Sequence, residues 1–233
     1  MHTQTYSNRR RELETYFDRT ALEAWKRLTS DAPVGTIRAT VRAGRDRMRS
    51  TLLDWLPADL RGKRILDAGC GTGALAVAAA RRGADVTAID LSGSLVELAA
   101  ERLPADLGPG SVRFLVGDMH DPALGEFDHV VSMDSLIHYR GDDIVGVLAG
   151  LAARTQYSVL FTFAPRTAPL SVMHAVGRLL PRGNRAPAIE PIAERTLHRK
   201  LDAEPRMAGW QRGRTQRIVS GFYTSQALEL RRK

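Results

Sequence analysis

The middle of the chain alternates short apolar runs with longer amphipathic runs. The apolar runs predict strands at 64–68, 85–90, 112–116, 128–133 and 158–163. The Ala- and Leu-rich stretches between them predict helices at 73–82, 92–102 and 142–154. Strands that alternate with helices are typical of a parallel sheet with helices on both faces, an α/β fold. Ligands of such sheets bind beyond the carboxyl ends of the strands, so we expect the site there.

The first 61 residues have helical rather than strand periodicity. Apolar residues recur at helical spacing in three runs, and the chain breaks at 31–35 and at Pro57. We therefore predict that 1–61 form an N-terminal helical cap or lid and that 62–233 form the main domain. The periodic residues are Leu13, Tyr16, Phe17, then Ala21, Ala24, Trp25, Leu28, then Ile37, Val41, Met48, Leu52 and Leu56.

The C-terminal part departs from the alternation. After the strand at 158–163, the pattern predicts an apolar helix at 169–180 and a polar helix at about 191–203. We interpret residues 164–190 as a substrate-binding insertion. Two strand-like runs near 207–219 and 222–231 lie close enough in sequence to pair as an antiparallel hairpin.

Composition and charge limit the class of protein. The chain has 233 residues and a single cysteine, so an internal disulfide is excluded. The polar N-terminus lacks a signal pattern, and no apolar run reaches the length of a spanning helix, which predicts a cytoplasmic protein. The net charge of +8 comes from residues 1–61 and 161–233, whereas the middle is acidic. Basic flanks suit an anionic substrate, an anionic membrane or nucleic acid, or are simply solvated.

A glycine-rich turn, Leu66-Asp67-Ala68-Gly69-Cys70-Gly71-Thr72-Gly73, lies between a predicted strand and a predicted helix. Glycines there let the backbone approach a ligand closely. Asp90 ends the next predicted strand, where a carboxylate can accept hydrogen bonds from ribose hydroxyls. With Ala74, this spacing also satisfies the dinucleotide fingerprint, so a nicotinamide enzyme is an alternative.

Three details favour S-adenosylmethionine (SAM) over a dinucleotide. Asp67 in the approach to the turn would oppose a pyrophosphate but attract an amino acid's ammonium group. A third glycine lies at 73 rather than 74. Asp118-Met119 follows another strand and could bind an adenine amino group. SAM offers an ammonium, a ribose and an adenine, and it has no phosphate.

The same motifs resemble the signature of class I SAM-dependent methyltransferases. The resemblance implies a Rossmann-like, seven-stranded, mostly parallel sheet with an antiparallel C-terminal hairpin. It also implies that Asp67 and the glycines hold the methionine part, Asp90 the ribose, and Asp118 with Met119 the adenine. The product left after transfer would be S-adenosylhomocysteine (SAH). The predicted cofactor-binding residues are Asp67, Gly69, Cys70, Gly71, Gly73, Asp90, Leu91, Asp118, Met119 and Met133.

Flanking segments carry a narrower resemblance. Tyr16–Ala21, Ser135–Tyr139, Phe161–Pro165 and Ser220–Tyr223 are similar to segments of magnesium-protoporphyrin IX O-methyltransferases. Trp25 and Gly35–Arg38 belong to the same set. This resemblance implies methylation of one propionate of magnesium protoporphyrin IX, giving the monomethyl ester, in chlorophyll and bacteriochlorophyll biosynthesis. It makes the porphyrin-carrying subunit of magnesium chelatase and the surface of the photosynthetic membrane expected partners.

Two residues are candidates for the catalytic step. A propionate is already ionised at neutral pH, so its oxygen can attack a sulfonium methyl without a base. His138 follows the fourth predicted strand and could orient the carboxylate or keep it deprotonated. Tyr16, on the N-terminal helix, could donate its hydroxyl to substrate or cofactor. Each has a plain alternative as a packing residue.

Substrate-binding residues are predicted outside the central segment. Arginines can bind propionates through two parallel hydrogen bonds, and a histidine could touch the porphyrin metal. Arg212 and Arg214 are further candidates, although a solvated role is an alternative for every one of these arginines. The chain lacks zinc-ligand spacing, so magnesium is expected only within the porphyrin. The predicted substrate-binding residues are Trp25, Arg166, His174, Arg182 and Arg185.

Two other functions stay open on the residues alone. One is a methyltransferase of another small acceptor, such as a quinone precursor or a phenol, for which a base would be indispensable. The other is an RNA-binding methyltransferase-like protein, suggested by the basic flanks. An aromatic content of 6% and the lack of a recognised RNA-binding module disfavour it, so no nucleic-acid partner is predicted.

Overall fold

The described residues, 4–19, 35–166 and 188–233 of a computed structural model, form a seven-stranded sheet in the order β3-β2-β1-β4-β5-β7-β6. Strands β1 to β5 are parallel, and β7 runs antiparallel to both β5 and β6. The predicted α/β fold with a C-terminal antiparallel hairpin is confirmed. The strands are β1 Arg64–Ala68, β2 Asp85–Asp90, β3 Ser111–Val116, β4 Phe127–Ser132, β5 Thr155–Phe163, β6 Trp210–Ser220 and β7 Tyr223–Arg232.

Helices cover both faces of the sheet and its carboxyl edge. The predicted helices that fall on described residues are confirmed, with ends displaced by a few residues. The helix predicted around Ala21–Leu28, the helix at 169–180 and most of the proposed insertion lie outside the described residues. Among the helices that are described, none is long and apolar enough to cross a membrane. They are α1 Gln4–Arg19, α2 Thr36–Trp55, α3 Ala74–Arg81, α4 Gly93–Glu101, α5 Gly141–Ala152 and α6 Glu194–Ala203.

The two described N-terminal helices pack in different places. Helix α2 buries Met48 and Leu52 completely in the core beneath α3 and the β6–β7 hairpin. Helix α1 contributes Tyr6 and Leu13 to the other core, which includes α5. The apolar periodicity thus correctly predicted that Leu13, Met48 and Leu52 are buried, but it missed Tyr6 and included Ile37, which is exposed at the start of α2. The division into a cap at 1–61 and a main domain at 62–233 stays a prediction.

Helix α1 lies across the carboxyl ends of the parallel strands. The Tyr6 hydroxyl donates to Asp118 Oδ1 at 2.8 Å, just beyond β3, and the Tyr6 ring stacks on Tyr139. At the other end of the helix, Asp18 Oδ1 accepts from the Ser92 hydroxyl at 2.6 Å, just beyond β2. Because both ends of α1 are held by residues that follow strands, the helix covers the edge where a ligand would bind.

Glycine at 73 is required by the geometry of the first strand–helix connection. Gly73 caps α3 with a φ of 75°, and an added Cβ would lie 2.8 Å from the Phe114 ring. We expect Gly73→Ala to lower the free energy of unfolding by about 2 kcal/mol, because an L side chain disfavours this conformation and the contact overpacks the core. Urea denaturation of the ligand-free protein measures the change.

Gly146, inside α5, provides the matched control. An added Cβ there meets nothing within 4 Å. We expect Gly146→Ala to raise the free energy of unfolding by roughly 0.5–1 kcal/mol, because alanine is the better helix former. Equal effects of the two substitutions would contradict the account of the turn.

Candidate active site

A cavity of about 320 Å³ opens at the carboxyl edge of the sheet. Helices α1 and α2 form one side, and the glycine-rich turn with the residues after β2, β3 and β4 forms the other. Both its size and its position are typical of a small-ligand site in an open α/β sheet. The sequence-based placement of the site is therefore supported by the geometry.

The glycine-rich turn folds back onto the neighbouring strand. The N–H groups of Gly69 and Cys70 both donate to the Ile89 carbonyl, at 2.8 and 3.0 Å. An added Cβ at Gly69 would lie 2.3 Å from Ser135 Oγ, whereas one at Gly71 would meet nothing within 4 Å. Since Gly71 also lines the cavity, its bare backbone faces ligand space. The turn thus needs glycine for internal packing at 69 and for ligand access at 71.

Asp90 is held rigidly at the end of β2. Its Oδ2 accepts from the Gly71 N–H at 2.8 Å, and its Oδ1 accepts from the Ser92 N–H at 3.0 Å. Burial raises the pKa of Asp90, and these backbone donors partly oppose the shift. Each carboxylate oxygen has more than one lone pair, so Asp90 can still accept hydrogen bonds from ribose hydroxyls.

Asp67 is a buried carboxylate with one oxygen that lacks a hydrogen-bond donor. It is 2% exposed, and among the described residues no donor reaches its Oδ2. Burial, and then the nearby charge of Asp90, raise the pKa of Asp67 to about 7. A hydrogen bond from the Ala76 N–H opposes part of this shift, but a buried carboxylate oxygen without a donor is costly, so its place on a cavity wall indicates a cationic ligand.

These features fit SAM. The orphaned oxygen of Asp67 suits an ammonium group, Asp90 suits the ribose, and the open face of Gly71 leaves room for the ligand backbone. A dinucleotide fits poorly, because its pyrophosphate would meet two buried carboxylates at this turn. Burial also raises the pKa of the Cys70 thiol, which agrees with a packing role rather than that of a nucleophile.

His138 lies on the cavity wall in a short 3-10 turn, Leu136–His138. It is 9% exposed, and its Nδ1 lies 3.4 Å from the Ala188 carbonyl oxygen. The Phe17 ring of α1 lies edge-on to the imidazole at 6.0 Å between centroids. His138 is therefore oriented by its neighbours and lies on the wall of the cavity.

Most of the predicted cofactor residues come together in this cavity. Of the predicted cofactor-binding and catalytic residues, three do not line it. Gly73 packs against Phe114, Tyr16 packs edge-on against Phe17, and the Asp118 carboxylate is bonded to Tyr6 and Arg10 of α1. Their roles stay predictions. The predicted residues that line the cavity are Asp67, Gly69, Cys70, Gly71, Asp90, Leu91, Met119, Met133 and His138.

The predicted substrate arginines are placed differently. Arg166 is exposed just beyond β5 and does not line the cavity. Arg212 and Arg214 are on β6, where they pair with Asp202 and Glu229. Trp25, His174, Arg182 and Arg185 lie outside the described residues.

Other cavity residues were missed from the sequence. Ser135 and Asp134 directly follow β4, so the rule that ligands bind beyond strand ends could have found them. The arginines of α2 could not be found in this way, because the pattern of apolar and polar residues does not show which polar side of that helix lies next to the site. The missed lining residues include Phe17, Arg42, Arg45, Arg49, Asp134 and Ser135.

The strand order, the glycine turn and the two buried carboxylates define a class I SAM-dependent methyltransferase. A family model described as "Magnesium-protoporphyrin IX methyltransferase C-terminus" matches residues 132–232, and one described as "Methyltransferase domain" matches 65–156. The chain is 51% identical to the magnesium-protoporphyrin O-methyltransferase of Rhodobacter capsulatus, covering 97% of this chain and 98% of the relative.

Two further proteins extend the comparison. The chloroplastic magnesium protoporphyrin IX methyltransferase of Arabidopsis thaliana is 30% identical, covering 92% of this chain and 68% of the relative. A crystal structure of the Synechocystis magnesium protoporphyrin IX methyltransferase with bound SAH superposes with a TM-score of 0.83 at 28% identity, covering 96% of this chain and 99% of that one. The chain belongs to the magnesium-protoporphyrin IX methyltransferase family, and it is a SAM-dependent O-methyltransferase.

The raised pKa of Asp67 predicts a pH-dependent stability of the ligand-free protein. An unfolded aspartate has a pKa of about 3.9, whereas burial holds that of Asp67 at about 7. The ionised carboxylate therefore destabilises the fold above pH 7, and this penalty disappears as the pH falls towards 4. We expect Asp67→Asn to be more stable than the wild type at pH 8 and equally stable near pH 4. Urea denaturation across this range tests it, and a pH-independent difference would contradict it.

Proposed function

We propose that this chain transfers a methyl group from SAM to a propionate carboxylate of magnesium protoporphyrin IX, forming the monomethyl ester. The observation that carries the proposal is the charge layout of the cavity. Asp67 and Asp90 suit the cofactor, and α2 contributes Arg42, Arg45 and Arg49 to the same cavity, where Arg45 pairs with Asp134 and Arg49 with Asp46. Arginine side chains beside the cofactor suit an anionic acceptor, and a porphyrin with two propionates is one.

Methyl transfer from SAM to a carboxylate requires the protein mainly to bind and orient the two reactants. When bound, SAM supplies a methyl group activated by the sulfonium, and an ionised carboxylate oxygen of the acceptor takes it up. Because a propionate is ionised well below pH 7, no proton must be removed. Alignment of two reactants alone can recover about 7–11 kcal/mol of a barrier.

Different residues of the cavity bind the cofactor, exclude water and orient the acceptor. Asp67 binds the ammonium and Asp90 the ribose of the cofactor, and Gly71 leaves space for it. Leu13 and Phe17 of α1 line the cavity and reduce the access of water. His138, oriented by Phe17, contacts the acceptor carboxylate and holds it towards the cofactor.

The alternative acceptors would use the same cavity differently. A phenol of a quinone precursor must lose a proton before it attacks, which demands a base. A phenol also offers the arginines of α2 no negative charge before it ionises. Transfer of porphyrin from the chelatase subunit and contact with the photosynthetic membrane both stay predictions.

Product analysis tests the proposed function directly. The purified chain is incubated with SAM and magnesium protoporphyrin IX, and the porphyrins are separated by chromatography with mass detection. We expect the monomethyl ester together with SAH in equal amounts. Unchanged porphyrin, from protein that is shown by calorimetry to bind SAH, would overturn the proposal.

The role of His138 separates a carboxylate acceptor from a phenol. For a carboxylate, His138→Ala should lower kcat by roughly 10- to 100-fold, because orientation is lost but no base is needed. At saturating SAM and porphyrin, where ionisation of Asp67 no longer limits cofactor binding, kcat of the variant should stay constant from pH 7 to 9, since the propionate is ionised throughout. A rate that increases steadily with pH in the variant would instead show that a proton must leave the acceptor.

A further inference from the structure

Asp134 is the centre of a side-chain network at the end of β4. Its carboxylate is buried, with 5% of the side chain exposed, and it lines the cavity. Four side chains donate to it: Arg45 at 2.9 Å, Ser225 at 3.0 Å, Tyr223 at 3.1 Å and Thr162 at 3.3 Å. The network joins α2, β5 and β7 to the site.

The backbone at Asp134 is also unusual. With a φ of 54°, Asp134 is the single non-glycine residue in the left-handed region among those the structure describes. Its N–H donates to Thr162 Oγ1 at 2.7 Å, which holds the turn in place. Strained backbone of this kind persists where the surroundings fix it, and it concentrates at functional sites.

The network determines what Asp134 can do. An ionised carboxylate has about four positions for donors, and four donor groups occupy them here. Asp134 is therefore not available as a base. It fixes Arg45, whose guanidinium has five N–H donors in a planar fork and can hold Asp134 and a ligand carboxylate together.

The cavity supplies the electrostatic reason for such an arginine. Asp46, Asp67, Asp90 and Asp134 all belong to its wall, and an anionic acceptor would be repelled by them. Three arginines of α2 share that wall at positions i, i+3 and i+7, and they offset part of its negative charge. Arg49 is paired with Asp46, whereas Arg45 is tied to the strand end that leads to His138.

Building on the proposed function, we propose that Arg45 binds a propionate carboxylate of the acceptor. Asp134 is the positioning residue for Arg45, and Tyr223 and Ser225 hold Asp134 in place. Asp134 and His138 both follow β4. A propionate bound by Arg45 would therefore lie on the side of the cavity where His138 lies. Arg45 also screens the acceptor from the buried carboxylates.

A pair of ligands tests the role of Arg45. Dissociation constants for magnesium protoporphyrin IX and for its dimethyl ester are measured by porphyrin fluorescence with SAH present. We expect the wild type to prefer the diacid, and Arg45→Met to weaken diacid binding by about 10- to 100-fold with little effect on the diester. Arg47→Met is the matched control, because Arg47 is exposed on the outer side of the same helix.

The outcomes are distinct. An unchanged ratio of diacid to diester affinity in Arg45→Met would overturn the proposal, even if the wild type methylates the porphyrin. If calorimetry instead shows that Arg45→Met weakens SAH binding and leaves the ratio intact, Arg45 serves the cofactor's carboxylate and the proposal is also overturned. A wild type that yields no monomethyl ester would reject the proposed function separately.

A double variant tests the positioning role of Asp134. We expect Asp134→Asn to raise KM for the porphyrin more than it lowers kcat, and to add little when it is combined with Arg45→Met, because both act on one interaction. Additive effects would overturn the positioning role. If Asp134→Asn fails to fold, Tyr223→Phe replaces it, because this substitution keeps the ring and removes one donor to Asp134. Tyr223→Phe should raise KM for the porphyrin by a smaller factor. An unchanged KM would also overturn the positioning role of Asp134.

Discussion

The site depends on one constraint: negative charge is buried before any ligand arrives. Asp67 and Asp90 end adjacent parallel strands, and burial raises the pKa of both. Asp90 is stabilised by backbone N–H groups of the turn, but Asp67 Oδ2 has no donor among the described residues. The ligand-free protein therefore carries a cost above pH 7 that a cationic ligand would reduce, and this cost favours a cofactor with an ammonium group over one with a pyrophosphate.

The position of the cofactor determines which side chains the rest of the cavity must provide. Once the cofactor occupies the acidic end, the acceptor must enter beside several buried carboxylates, so an anionic acceptor needs cationic side chains in the wall. Helix α2 supplies them from one face while its other face, with Met48 and Leu52, packs into the core. Helix α1 completes the enclosure because Asp118 and Ser92, which follow β3 and β2, hold it across the strand ends. The same edge of the sheet thus holds the cavity and the helix that covers it.

The fold could be predicted because its signals are local. Strands β1, β2 and β4 each contain three apolar residues and are buried along most of their length, and the helices between them carry helical periodicity. Helix α1 was less visible. Its first turns are polar, with Arg9, Arg10 and Arg11, so the pattern indicated a helix only from Leu13 onwards. What stabilises its start is Tyr6, through contacts with Asp118 and Tyr139 that are more than a hundred residues distant in sequence.

The site could be predicted in part, for the same reason. The cofactor side follows from one contiguous turn and from residues at strand ends. The acceptor side depends on pairings that sequence does not reveal. Arg212 and Arg214 were attractive because the C-terminal part is basic, yet they are paired with Asp202 and Glu229. Arg45 lines the cavity, where it forms an ion pair with Asp134. The net charge of a segment cannot distinguish an arginine that is paired at the surface from one that lines a cavity.

The central claim is that Asp67 recognises the ammonium group of the cofactor. The most direct measurement is calorimetric titration of the wild type and Asp67→Asn with SAH and with methylthioadenosine, which keeps the adenine and ribose but lacks the amino acid. The account predicts that the wild type binds SAH far more tightly at pH 8 and that Asp67→Asn loses most of this preference. Equal discrimination by the two proteins would contradict it.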